Sequence, residues 1–409
     1  VKTNSDGTDL LDDGTIVKWI QVANDDNAYQ IALDTALANQ ESAAANDKVD
    51  IFLIEADYAT KYANDRYALD VHKDLKIKES VFADQYQYTK DIVTDETGAL
   101  RAVSWQATPG LFAYRADIAE EVFGTSDPKQ VQAKIDTWAK FNDVAKQMHD
   151  ADYKMLSGYD DAFRAFSNNT ANKWVNDKNE VVVDQQILNW IKQTKEYSDK
   201  GYNNGNALWS DGWQSDQGSD GDVFGFFYST WGINFTLLEN SLETPLSEGG
   251  AAEVGNGIYG DYAVCQGPES YYWGGTWIVG AKGTDNPSLV RDVMIKMTAN
   301  PHIAEAITLE TEDYTNNQTA MTKIANDPEY GSAFLGGQNH IALFTEAAKN
   351  IDMSNASPYD QGLNEGIQTA MSDYFSGEST FSQAWDRFKA IVSEKYPELT
   401  LPSTIQEPK

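Results

Sequence analysis

The run Val49-Asp50-Ile51-Phe52-Leu53-Ile54 constrains this chain more than any other stretch, because of what precedes it. Thr15–Val22 reads as a strand. Asp26–Gln40 then repeats at helical spacing through Tyr29, Leu33, Ala36, Leu37 and Gln40. Strand and helix periods do not interchange, so the order is strand, helix, strand. Asn24 and Asp25 are the candidate helix caps. Such a unit predicts a parallel strand pair with a right-handed crossover. Glu55-Ala56-Asp57-Tyr58 follows the second strand, at the carboxyl end where open α/β sheets bind ligands.

The same reading continues along the chain. Leu100–Gln106 and Leu111–Tyr114 are strand-like around Ala107-Thr108-Pro109-Gly110. One long helix carries Val131, Ile135, Trp138, Phe141, Val144 and Met148, and another covers Gln186–Asp199. Val223–Ser229 and Thr276–Ala281 are strands, with a Gly- and Glu-rich loop over Ser241–Gly260 between them. Asn286-Pro287 opens a helix, since proline suits a first turn. Helices through Leu363, Ile367 and Met371 and through Phe381, Trp385 and Phe388 close the chain. The alternation predicts an α/β class, and 409 residues predict two domains.

Charge and composition narrow the function. With 63 acids against 31 bases the net charge is −32, which repels nucleic acid. Cys265 is the only cysteine, so no internal disulfide forms, and the four histidines are scattered, which disfavours zinc. No cofactor is expected. Gly255-Asn256-Gly257-Ile258-Tyr259-Gly260 fits G-x-G-x-x-G but lacks the helix a dinucleotide needs after it. Asp216, Gly218, Asp220 and Gly221 resemble part of a calcium loop, yet Phe227 stands where a bidentate Glu belongs. No nucleophile elbow or phosphate loop is present.

Two aromatic segments remain, Phe226-Phe227-Tyr228-Ser229-Thr230-Trp231-Gly232 and Tyr271-Tyr272-Trp273-Gly274-Gly275-Thr276-Trp277. They read either as core strands or as ring faces for stacking on sugars. Trp105, Trp209 and Trp213 stand in other loops, and none of these segments contains Lys or Arg. A site for an anion wants guanidinium or ammonium groups; a site for a neutral sugar wants aromatic faces and short polar acceptors. The candidate stacking residues are therefore Trp231 and Trp273, aided by Trp105, Trp209, Trp277 and Tyr58. The candidate polar contacts are Glu55, Asp57, Gln106, Asp160, Asp161, Asp211 and Asn234.

The order of segments resembles the extracellular solute-binding proteins of ABC transporters, in the maltose-binding-like group that serves oligosaccharide importers. Five pieces carry the likeness: Val49–Leu53; Leu111–Ile118 with Trp138 in the following helix; Tyr228–Leu237; Gly274–Val279 followed by Asn286-Pro287; and Phe375–Thr380 with Ala384 beyond. The resemblance implies two lobes joined by crossover strands, a ligand cleft between them, hinge closure and docking on permease subunits. It divides the chain into residues 1–113 plus 270–330 and residues 114–269 plus 331–409, with hinges near 111–116, 265–272 and 328–334. It also implies a monomeric receptor without catalysis, on the surface of a Gram-positive bacterium, whose lipid-bearing cysteine is not in this chain. In one respect the chain departs from the pattern: only Val1–Gly14 precedes the strand at Thr15, so the family's first strand and its ligand loop are expected to be missing. A secreted glycoside hydrolase, a receptor for a polyamine or peptide, and a polysaccharide adhesin stay open as alternatives.

Overall fold

Eleven strands and a larger set of helices make up the computed structural model, which describes residues 2–3, 8–11, 13–23 and 27–409. In chain order the strands are β1 (Lys2–Thr3), β2 (Asp9–Leu10), β3 (Ile16–Val17), β4 (Ile51–Glu55), β5 (Ala102–Ser104), β6 (Gly110–Arg115), β7 (Leu156–Gly158), β8 (Asn203–Asn206), β9 (Gly225–Ser229), β10 (Tyr262–Cys265) and β11 (Thr276–Gly280). Two three-stranded sheets organise the molecule, one ordered β4-β11-β5 and the other β10-β6-β9. Every pair in both is antiparallel.

The expected parallel strand–helix–strand unit does not form. The strand at Thr15 shortens to β3, which pairs with β2 in a separate small sheet. Trp19, Ile20 and Val22 beyond it are exposed. β4 is an edge strand beside β11, and the Tyr29 hydroxyl donates to the Leu53 carbonyl. The helix between them runs over Ala28–Ala38 and buries Leu33 and Leu37 as the periodicity requires. Asn24 and Asp25, the candidate caps, lie outside the described residues; Asn27 precedes the helix in a left-handed conformation. Gln40, last on the stripe, donates to the Val49 carbonyl at 2.7 Å and accepts from the Val49 amide at 2.9 Å, so it fixes the entry to β4.

The second sheet is buried on both faces. Leu111, Ala113, Phe226, Tyr228 and Val264 face one apolar cluster, while Phe112, Tyr114, Phe227 and Cys265 face the other. That is the period-two alternation of a strand with core on either side. The first cluster also takes in Phe52, Ile54, Val103 and Val279 of the first sheet, so apolar packing runs from one sheet to the other. The single long helix expected over Val131–Met148 is two, Pro128–Ile135 and Trp138–Asp150. Thr137 breaks the run by accepting the Lys140 amide as a new cap.

The chain passes between the sheets at 105–109, after β5, and at 266–275, after β10. These two passages run side by side. The Gly110 amide donates to the Tyr271 carbonyl at 2.7 Å, and the Trp273 amide to the Thr108 carbonyl at 3.1 Å. The Thr108 hydroxyl donates to the Gly274 carbonyl at 2.8 Å.

Candidate functional site

A cleft opens between the helix Ala56–Ala63, which leaves β4, and two helices associated with the second sheet, Phe163–Ser167 and Asp360–Phe375. It encloses about 1040 Å³ of space continuous with solvent. Asp57, Tyr58, Arg164, Asn168, Tyr272 and Asp360 are among its walls. Gly274 belongs to the lining, and a Cβ there would lie 2.7 Å from Nε1 of Trp231. The cleft therefore borders the aromatic cluster.

That cluster gathers four of the tryptophans. The Trp209 and Trp231 rings stack at 6.1 Å with 19° between planes. Trp273 meets Trp231 edge-on at 5.5 Å, and Trp213 lies 5.2 Å from Trp209. Trp209 is 46% exposed and takes a left-handed backbone with φ of 70°. A bulky residue held in that region is strained, as ligand-contacting residues often are. Trp231 donates its indole N–H to the Trp273 carbonyl at 2.9 Å, which locks the ring against the crossover. The helix carrying Trp231 contains a π turn over Ile233–Leu237.

The other sequence candidates divide. Trp277 is 1% exposed and donates to the Thr89 carbonyl at 2.8 Å, so its ring fills the first core and offers no face to a ligand. Strand alternation turns it inward, one residue after Thr276. Trp105 packs half-buried against the same core. Trp273 is itself buried, with the Arg164 guanidinium 4.6 Å above its ring. Tyr58 lines the cleft but is largely buried, edge-on to Tyr62. Asp211 is exposed in the first turn of a short helix. Asn234 donates to the Thr311 carbonyl and to Glu312, both at 3.2 Å.

The acids are mostly committed to the protein's own donors. Asp160 accepts from the Leu208 amide at 3.1 Å, which fixes the residue before Trp209. Asp161 accepts from the Gly158 amide at 2.7 Å and from the Trp213 indole at 3.1 Å. Burial, reinforced by the Asp160 carboxylate, pushes Asp161 up to about 7. Gln106 donates to Asp313 at 2.6 Å and accepts from the Thr276 amide at 3.1 Å. Thr230 donates to the other oxygen of Asp313, so this acid ties β5's exit to the helix of Trp231. Asp216, from the calcium-like run, accepts from Ser157, Asn204 and Asn206.

Sequence reasoning missed Arg164, Asp313 and Asp360. Arg164 stands four residues after Asp160. That spacing is itself a helical charge-pair signal. Asp360 is pushed up to about 6 by burial and accepts from the Ser357 hydroxyl at 2.6 Å.

Glu55 caps the helix Ala56–Ala63 by accepting from the Asp57 amide at 2.7 Å. Burial first, and the Asp57 carboxylate second, push its carboxyl up to about 8. Folded Glu55 thus holds its proton more tightly than an unfolded Glu near 4.3. Its stabilisation is full below about 4.3 and is lost as pH rises through about 8. Glu55→Gln keeps the acceptor for Asp57 without the charge. The variant is expected to gain unfolding free energy relative to the wild type between about pH 5 and about pH 9. Urea titrations across that range check this; a difference that does not change with pH would refute it.

The sequence matches no family profile and no curated protein. Solved structures do match. An extracellular solute-binding protein of family 1 superposes with a TM-score of 0.71 at 14% identity, over 88% of this chain and 90% of that one. The ABC-transporter-associated binding protein of B. animalis subsp. lactis, solved with β-1,6-galactobiose, gives 0.67 at 18% identity, over 94% and 92%. The galacto-N-biose/lacto-N-biose I-binding protein of Bifidobacterium longum, solved with lacto-N-biose, gives 0.68 at 14% identity, over 94% and 90%. The fold is that of the two-lobe extracellular solute-binding proteins, an α/β architecture with a cleft between lobes.

Proposed function

We propose that this protein is a non-catalytic receptor that binds a neutral oligosaccharide outside the cell and delivers it to the permease of an ABC importer. One observation carries the reading: an exposed, strained Trp209 stacked on Trp231 beside the interlobe cleft. Large aromatic faces with short polar neighbours suit sugar rings, and neighbours of the same fold were solved with galactobiose and lacto-N-biose. The lobes are residues 1–113 plus 270–330 and 114–269 plus 331–409, with hinge closure on the ligand. The protein acts as a monomer, held at the surface of a Gram-positive bacterium by a lipid anchor. Trp209 and Trp231 supply the aromatic surface, backed by the buried Trp273, with Trp105 and Tyr58 at its margins. Asp57, Asp211 and Asn234 offer polar contacts, while Glu55, Gln106, Asp160 and Asp161 hold the frame.

Calorimetry against β-1,6-galactobiose, lacto-N-biose, maltose and longer neutral glycans, with product analysis of the same samples, tests the proposal. Tight one-to-one binding with the sugar intact is expected. Cleaved sugar would make the protein a glycoside hydrolase. No sugar binding, with spermidine or a peptide bound instead, would replace the ligand class.

A further inference from the structure

Arg164 reaches across the cleft by an ion pair. It lies in the first turn of Phe163–Ser167, and its Nη2 donates to Asp57, on the opposite helix, at 3.5 Å. Among the ion pairs of the described residues, no other links an element on the first sheet to one on the second. The pair is long, and the rest of the guanidinium fork is unspent: neither Nε nor Nη1 has a partner among the described residues.

Arg115 shows what a saturated arginine looks like in this fold. It meets Asp117 through Nε and Nη2 at 2.8 and 2.6 Å and donates to the Gly218 and Gly221 carbonyls. Arg164 has no such set; its guanidinium carbon sits over the Trp273 ring, 4.6 Å from the ring centre. A guanidinium placed over an indole is held there by the ring's quadrupole while its unbonded N–H groups stay available. Those donors border the cleft.

The surroundings say what they take. Asp57 and Asp360 line the same space, and Glu55 and Asp160 lie close enough to feel the guanidinium charge. With that many acids nearby, and with Lys61, the other cation of the lining, already paired to Asp34, an anionic ligand gains little from Arg164. Two adjacent hydroxyl oxygens match the spacing of the fork and bring no charge to oppose.

We propose that Arg164 is a specificity-determining residue that donates from two nitrogens to a pair of adjacent hydroxyls on the bound sugar, while Asp57 reaches it from the other lobe. This rests on the oligosaccharide reading and deepens it. The ligand thereby completes a bridge between the lobes that Arg164 and Asp57 only begin.

The test is calorimetry on wild type, Arg164→Lys and Arg164→Gln, using whichever of β-1,6-galactobiose, lacto-N-biose or maltose the wild type binds. Monodeoxy analogues of that sugar and its uronic-acid counterpart complete the set. Arg164→Lys is expected to weaken binding of the parent sugar about tenfold or more, since an ammonium lacks the fork. It is also expected to lose the wild type's penalty for at least one deoxy analogue, a change that a merely structural role would not produce. Near-UV circular dichroism matching the wild type shows that each variant is folded. Deoxy penalties equal in all three proteins would overturn the proposal, as would a wild-type preference for the uronate. A wild type that binds no sugar would instead overturn the oligosaccharide reading beneath it.

Discussion

Gly274→Val is expected to destabilise the protein by about 4 kcal/mol and to abolish ligand binding. Two separate costs add. Gly274 has a φ of 75°, where a β-branched side chain is strained by roughly 1–3 kcal/mol. A Cβ there would also stand 2.7 Å from Nε1, 3.1 Å from Cε2 and 3.2 Å from Cζ2 of Trp231. The indole has no easy retreat, because its N–H is bonded to the Trp273 carbonyl. Forcing extra carbon into such a contact costs roughly 1–3 kcal/mol more. Gly98→Val separates the two: Gly98 has a φ of 79° with nothing within 4 Å of its Cβ position. Denaturant titration of both variants should show the larger loss at Gly274. Equal losses would mean that the contact with Trp231 does not matter.

Trp209→Ala is expected to lower sugar affinity about a hundredfold, near 2.7 kcal/mol, with a small effect on stability. The ring is nearly half exposed, so little buried surface goes with it. Its removal also leaves the Trp231 face without its stacked neighbour. The backbone makes the test sharper. Trp209 is left-handed, so Trp209→Gly should recover about 1 kcal/mol of stability over Trp209→Ala while binding just as poorly. Stability would then differ between the two variants while affinity stays equally low. Undiminished calorimetric affinity in either variant would remove Trp209 from the ligand surface.

Much of this was visible in the sequence wherever the signal was local. β4, β6, β9 and β11 and the proline-opened helix Pro287–Ala299 follow from runs and caps that need no partner to recognise. Strand partnership was not visible. Thr15–Val22 has strand composition, but pairing depends on where an edge is available, and most of that segment pairs with nothing described. Trp273 and Trp277 illustrate the same limit at the site. Both flank glycine or a small residue in one segment, yet one borders the aromatic cluster and the other the first core. Which side a ring takes depends on strand alternation and on the crossover, not on neighbours in sequence. Arg164 is hidden for a simpler reason: it follows the candidate acids Asp160 and Asp161 but sits in no tryptophan-bearing segment.

The packing of Trp231 on a bare Gly274 has an optical consequence. Four indoles with centroids 5.2 to 6.1 Å from the next ring do not absorb independently; their transitions mix and rotate light together. Trp231 rests on the crossover, so the hinge closure proposed above would change the angle between coupled chromophores. That closure would then be readable in the near ultraviolet without any attached label.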